Sequence, residues 1–315
     1  MYKVKTNDEG RINLPKISVI LATYNNEKYI REAIESILKQ TYSNFELIVI
    51  DDASTDKTGE IINSIIDKRI IYLRNKKNQG PPYSINRGID IAKGDYIARL
   101  DGDDISMPTR LEEQLKYMEL NKDISICGCI WKEFGRSNNL NILPEDTQSL
   151  KVNSLFYSPL AHSSWFIRRS VIFDNNIKYN NSFKTAQDYE FIYRILKNHK
   201  IACVQKVLLL YRVHPQSITG KTVGVDKNTM KVQKKILLDL NIQASKRDLL
   251  LLNSRESCMS AANFLRLFLL FRNVKKKNEK YLIYDQEKLV IELKRRLLLL
   301  GKNDKITKIL LKSLF

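Results

Sequence analysis

Two kinds of apolar spacing alternate along residues 17–104. "ISVILATY" (17–24) is a short, continuous, β-branched run, as a strand buried on both faces requires. "NNEKYIREAIESILKQ" follows, with Ile30, Ala33, Ile34, Ile37 and Leu38 at helical spacing. The pair of patterns then recurs. "FELIVIDDAS" is strand-like and "TDKTGEIINSIIDK" helix-like through Ile61, Ile62, Ile65 and Ile66. "RIIYLR" and "PPYSINRGIDIAKG" make a third pair, and "DYIARLDGDD" supplies a fourth strand. Alternation at this period predicts an α/β fold, Rossmann-like, with a mostly parallel sheet flanked by helices on both faces. Ligands of such sheets collect at the carboxyl ends of the strands.

Those ends read Thr23-Tyr24-Asn25, Asp51-Asp52, Arg74-Asn75 and Asp101 to Asp104. The first turn, "TYNNEKYI", has no glycine, which excludes both the dinucleotide fingerprint and the P-loop. "RLDGDD" (99–104) instead crowds three carboxylates into a chain whose net charge is +18. Repulsion within such a cluster calls for a cation or hydrogen-bond donors close by. One reading is a solvated turn capping a helix that begins near Pro108. The other is a divalent ion, Mn²⁺ or Mg²⁺, which makes an acidic edge compatible with a phosphate-bearing ligand.

The apolar content of 43% suffices for a core without covalent staples. Four cysteines, with neither metal-site spacing nor scaffold density, predict reduced thiols and a cytoplasmic setting. No window approaches the roughly 20 apolar residues of a membrane span, and no signal peptide is expected. Residues 221–315 hold 22 Lys and Arg against 9 Asp and Glu, which is +13 of the +18. That shift marks a boundary near residue 220. Beyond it, "AANFLRLFLLFRNVKKKNEKYL" and "EKLVIELKRRLLLL" are helical in period, rich in leucine and studded with lysine. Such helices either lie on an anionic membrane surface, making the protein peripheral on its inner face, or pack as a bundle with a solvated basic side. No nucleic-acid module accompanies the charge, so nucleic acid is not an expected partner.

Four segments in this order resemble glycosyltransferase family 2: "ISVILATYNNEKYIREAIESILKQTYSNFELIVIDDASTDKT", "NQGPPYSINRGIDIAKGDYIARLDGDDISMPTRLEEQ", "TAQDYEFIYRI" and "YRVHPQSI". The resemblance spans residues 15 to 218. It implies a GT-A fold and a layout of an N-terminal extension (1–14), a catalytic domain (15–220) and a basic helical region (221–315). The donor nucleotide half would cover 15–105 and the acceptor half 106–220. The implied activity is inverting transfer of a sugar from a nucleotide-diphospho-sugar, a UDP-sugar by preference. The acceptor would be a hydroxyl of a glycan or lipid-linked molecule in bacterial surface polysaccharide synthesis.

The resemblance also assigns residues. Thr23, Tyr24, Glu27 and Asp52 would meet the donor nucleotide, Tyr24 beside the base and Asp52 at its edge. Asp101-Gly102-Asp103 matches the family's D-x-D element, with Asp101 at the ribose or metal and Asp103 a metal ligand. Arg99 would pair with those acids or with the phosphates, or form a structural ion pair. His214 would sit near the metal, and Asp188 would be the base. Asp188 also reads as a helix cap. His162 and Trp165 match a segment beneath the acceptor, where His162 either positions the acceptor or satisfies core hydrogen bonds and Trp165 either stacks on sugar or is buried. Two rival functions are a metal-dependent nucleotidyltransferase, whose glycine-rich first loop is missing, and a catalytically silent binding protein, which would have no use for Asp188.

Overall fold

The computed structural model describes residues 15–215, 226–254 and 259–300. The proposed extension 1–14, the Gln216–Ile218 end of the last family-like segment, Cys258 and the C-terminal stretch from 301 lie outside the described residues. Strands β1 (Ile17–Thr23), β2 (Phe45–Asp51), β3 (Ile70–Arg74) and β4 (Tyr96–Asp101) are joined by α1 (Ile30–Leu38), α2 (Thr58–Asn63) and α3 (Pro81–Ile91). They pair in parallel in the order β3-β2-β1-β4. Successive strand residues feed opposite layers: Val19, Leu21, Leu47 and Val49 enter one core with Ile30 and Ile34. Ile20, Ile48 and Ile50 enter the other with Ile85 and Ile89. Burial on both sides is why these strands read as unbroken apolar runs.

The second half carries β5 (Ile105–Ser106), α4 (Arg110–Leu120), β6 (Ile124–Gly135), β7 (Leu140–Asn141), α5 (Thr147–Asn153) and a 3₁₀ turn at His162–Ser164. It continues with β8 (Phe166–Arg168), α6 (Arg169–Asp174), α7 (Gln187–Ile195) and β9 (Lys200–Val213). These strands extend the sheet as β4-β8-β6-β9-β5, with β7 on β6. β8 is antiparallel to both neighbours, whereas β6 and β9 are parallel. The sheet is therefore mixed, parallel from β3 to β4 and antiparallel around β8.

Helices α8 (Lys227–Asp239), α9 (Lys246–Leu252), α10 (Ala261–Tyr281) and α11 (Gln286–Leu300) complete the described chain. Asp226, Ser245 and Ser260 cap three of them by accepting from backbone N–H groups. Leu267, Phe271, Leu293 and Leu297 share one core with Val152, Phe156, Phe183 and Tyr189. The basic region thus packs against α5 and α7. Among the described residues no helix is long and apolar enough to cross a membrane.

Two local expectations change. α2 ends at Asn63, so Ile62 is buried while Ile66 is 99% exposed. The chain must turn there to enter β3, and Asp67 fixes that turn by accepting from the Arg69 N–H and guanidinium. Likewise α4 starts at Arg110 rather than at Pro108, whose carbonyl accepts from Thr41 N. Cys127, Cys129 and Cys203 are buried free thiols, and burial pushes all three upward from the ordinary thiol value.

Candidate active site

Parallel register sets Thr23 beside Asp51, Ala22 beside Asp101 and Asp51 beside Arg74. The strand ends therefore form one edge, as the alternation predicts. A cleft of about 1280 Å³ opens there. Thr23, Tyr24, Glu27 and Asp52 line it from the first half, together with Asp101, Gly102 and Asp103. His162, Asp188 and His214 line it from the second. Arg99 and Trp165 do not reach its surface.

The first two strand ends are locked to each other. Glu27 Oε2 accepts from Lys57 N, and Asp56 accepts from Glu27 N and Thr58 N. Thr23 is nearly buried and its hydroxyl accepts from Asn26, whereas Tyr24 stays 44% exposed, free to lie against a planar ligand. Asp52 is buried and accepts from Asn75 Nδ2 and from the N–H groups of Gln79 and Gly80, ahead of α3. Its carboxylate thus builds the cleft wall, a role beyond the base-edge contact that the resemblance implies. Asn25 (φ 51°) and Ala53 (φ 63°), at the ends of β1 and β2, take the left-handed conformation, which costs a non-glycine residue energy and concentrates at functional sites.

The acidic turn is held from below. Arg99 is buried, its guanidinium donating to Asp101 Oδ1 (2.6 Å) and to the carbonyl of Ile20 (2.7 Å). This corrects the donor-contact reading of Arg99: it is the buried ion pair of the two roles considered, because β4 points it into the layer under the cleft. Ser163 Oγ donates to Asp101 Oδ2. Desolvation works against the Asp101 anion, but the Arg99 charge and the hydrogen bonds from Ser163 and Arg99 outweigh it and its carboxyl is lowered. Gly102 is required by proximity, since a Cβ there would lie 2.6 Å from Thr23 Oγ1 and 2.9 Å from Asn26 Nδ2. Asp103 Oδ2 lies 2.9 Å from His214 Nε2. Desolvation, with Asp101 next to it, raises the Asp103 carboxyl. Asp104 is buried and accepts from Arg212 N, while its other oxygen has no hydrogen-bond partner among the described residues.

Asp188 does not cap its helix. The N-cap position of α7 belongs to Ala186, itself left-handed at φ 52°, and Asp188 sits in the first turn at the cleft wall. Burial raises its carboxyl above the ordinary 3.8, against hydrogen bonds from Tyr189 N and Ser158. Glu190, two residues on, is buried in an ion pair with Arg194. His162 stands 2.8 Å from the Tyr179 hydroxyl, and burial beside Arg99 lowers its pKa to about 3, so it is a neutral ring. Trp165 is fully buried, edge-on to His162 and against Phe191. That removes Trp165 as an acceptor contact, because no face of the indole is open to a sugar.

Three groups escaped the sequence reading: Ser163, Tyr29 and Arg212. Tyr29 packs on the His214 ring (4.8 Å between centroids), and Arg212 stacks on Tyr29 while its Nε donates to Asp103 O. Arg212 stands two residues from His214 on β9, so the "YRVH" segment already pointed to it.

The glycosyl transferase family 2 model matches residues 18–185. The chain belongs to this family. An uncharacterised glycosyltransferase of Methanocaldococcus jannaschii is 39% identical over 215 residues, 65% of this chain and 73% of that one. The Escherichia coli UDP-Glc:α-D-GlcNAc-diphosphoundecaprenol β-1,3-glucosyltransferase WfaP is 33% identical, over 73% of this chain and 89% of WfaP. In fold, the glycosyltransferase resembles S. aureus TarS in complex with UDP-GlcNAc, with a TM-score of 0.62, 20% identity, and 95% of this chain and 91% of that one covered. The sheet and its C-terminal helices are those of a GT-A glycosyltransferase.

GT-A glycosyltransferases commonly use a divalent metal. Among the described residues no group of three or more His, Cys, Asp or Glu side chains converges on one point. The Asp103 carboxylate and His214 imidazole are a pair, one hard oxygen and one nitrogen donor at the cleft. Such a set fits an ion that takes the rest of its shell from substrate phosphates and water.

Proposed function

We propose that this glycosyltransferase moves a sugar from a UDP-sugar to a hydroxyl of a glycan or lipid-linked acceptor, with inversion at the anomeric carbon, in the assembly of a bacterial surface polysaccharide. One observation carries the reading: a single cleft gathers the nucleotide-side turn, the Asp101–Asp103 turn, His214 and Asp188. Tyr24 offers a partly exposed ring for the base, and Asp52 its remaining acceptor capacity for a base N–H. Asp103 and His214 would hold Mn²⁺ or Mg²⁺, which as a Lewis acid stabilises charge developing on the departing diphosphate. Arg99 and Ser163 hold Asp101 ionised and oriented beside that pair.

Asp188 takes the proton from the attacking acceptor hydroxyl. Its carboxyl, raised by burial, makes it a better base than an exposed aspartate. With no second carboxylate needed as a nucleophile, displacement is direct. The neutral His162, bound to Tyr179, orients the acceptor side without competing for that proton.

The C-terminal helices suit contact with an anionic membrane surface as well as packing. Leu265 and Leu269 are 46% and 51% exposed on α10, the helix that also carries Arg272, Lys276 and Lys280. Sedimentation with phosphatidylglycerol vesicles and not with phosphatidylcholine vesicles is expected.

The deciding experiment incubates the full chain with UDP-sugars and with Mn²⁺, Mg²⁺ or EDTA. Release of UDP that needs the metal is expected. Release of sugar 1-phosphate, the leaving group when UMP and not the sugar is transferred, would favour the nucleotidyltransferase, and no release of either would leave a binding protein.

A further inference from the structure

One wall of the cleft is built from a hairpin that the sequence pattern leaves undefined. Glu133 on β6 accepts from Ser137, Asn139 and Asn141, closing the turn that brings β7 back alongside Trp131 and Lys132. The carboxylate is consumed in building the hairpin rather than offered to a sugar. Beside Glu133 and Asn141, which these hydrogen bonds tie together, the hairpin lines the cleft with Leu140 and Ile142, which remain 52% and 66% exposed. Tyr157, 38% exposed, adds another apolar surface, and Trp131 stands in the same wall. Tyr157 is backed by Arg296 of α11, whose guanidinium lies 3.5 Å from the Phe156 ring centre and 5.4 Å from that of Tyr157.

Large aliphatic side chains left in water at a cleft mouth gain free energy only when something apolar covers them. Leucine and isoleucine have neither hydrogen bonds nor an aromatic face for a sugar ring, so their counterpart is hydrocarbon. Tyr157 directly precedes Ser158, whose side chain hydrogen-bonds the Asp188 carboxylate, so the covered group belongs to the acceptor. We infer that Leu140, Ile142 and Tyr157 form an apolar acceptor subsite, and that the natural acceptor carries a hydrocarbon chain close to its reacting sugar. This inference rests on the transferase reading above and decides between its two acceptor classes, for the lipid-linked one over the free glycan.

The test uses the full-length enzyme with UDP and Mn²⁺, titrated with decyl or methyl β-D-glucopyranoside below micelle formation. The chain has two tryptophans, and of these only Trp131 lines the cleft. The decyl glucoside is expected to give a saturable change in tryptophan emission, at a concentration at least tenfold lower than any change with the methyl glucoside. A Trp131→Phe variant loses the signal. The double variant Leu140→Ser, Ile142→Ser is expected to reduce the decyl preference to less than threefold, with an unchanged melting midpoint because both side chains already face solvent. Equal responses to the two glucosides, or a preference that survives the double variant, overturn the inference. UDP release from UDP-sugars, followed separately on the wild type, reports on the transferase reading itself, so its presence alongside equal glucoside responses sinks only the subsite.

Discussion

His214 Nε2 lies 2.9 Å from Asp103 Oδ2, joining residues 111 positions apart. The contact exists because β9 returns past the end of β4 through its pairing with β5, while Arg212 on the same strand donates to the carbonyl of Asp103. Two strand ends distant in sequence thereby become one side of a single cleft, and the interactions that position them can be tested apart.

Replacing Asp188 by Asn removes the base and keeps the shape. Transfer is expected to fall by ~10²–10⁴-fold, with the product measured by mass spectrometry. Stability should not fall with it. The folded-state carboxyl is raised, so ionisation costs the native protein stability as pH climbs from the ordinary 3.8 through the folded value. At pH 7 the variant should melt at or above the wild-type temperature. A helix cap would instead lose stability when altered.

The same raised carboxyl sets a pH profile. kcat/KM for transfer should decline on the acid side with a midpoint above the ordinary aspartate value of 3.8, because Asp188 must be ionised to accept a proton. An acid limb centred at or below that value would remove Asp188 as the base.

Arg99→Met should destabilise the fold by about 3 kcal/mol, the low end for breaking a buried pair, since the Asp101 side chain retains 37% exposure and some screening. Urea unfolding measures this. A change under 1 kcal/mol would mean that Asp101 finds other donors.

Gly102→Ala drives a methyl group to within 2.6 Å of Thr23 Oγ1. The acidic turn must retreat from the end of β1, at a cost of about 1–3 kcal/mol for an overpacked contact. The expected result is weaker UDP binding by calorimetry. Unaltered affinity would show that the two turns need not touch.

Ending the chain at residue 215 should prevent cooperative folding. Val152, Leu155, Phe156, Phe183 and Tyr189 are covered by α8 to α11 and would be left facing water. Calorimetry should show no sharp transition, and dye binding should report exposed apolar surface. A folded, active fragment would mean that the basic helices are a separate appendage.

The alternating patterns legibly marked β1 to β4 and the helices between them, because a doubly covered strand and a one-sided helix leave different apolar periods. Their ends, with Tyr24, Asp52 and the Asp101–Asp103 turn, followed directly. Periodicity misled at Ile66, where a connection and not a helix continues the isoleucine run. It was silent on β8, a three-residue strand whose place between β4 and β6 depends on partners far along the chain.

Local pattern by itself determined the parallel half of the sheet and the acidic strand edge, since a residue's face depends only on its position within its own strand or helix. Tertiary structure alone decided which polar residues meet: Arg99 sank beneath Asp101, Trp165 closed behind His162, and the Glu133 hairpin set Leu140 and Ile142 into the cleft. The contacts that select those outcomes are long-range: Arg99 also donates to the Ile20 carbonyl 79 positions away, and the β6 strand that carries Glu133 is paired with β9. No short-range spacing encodes them, because the energy that selects them comes from contacts formed only when the whole sheet has assembled.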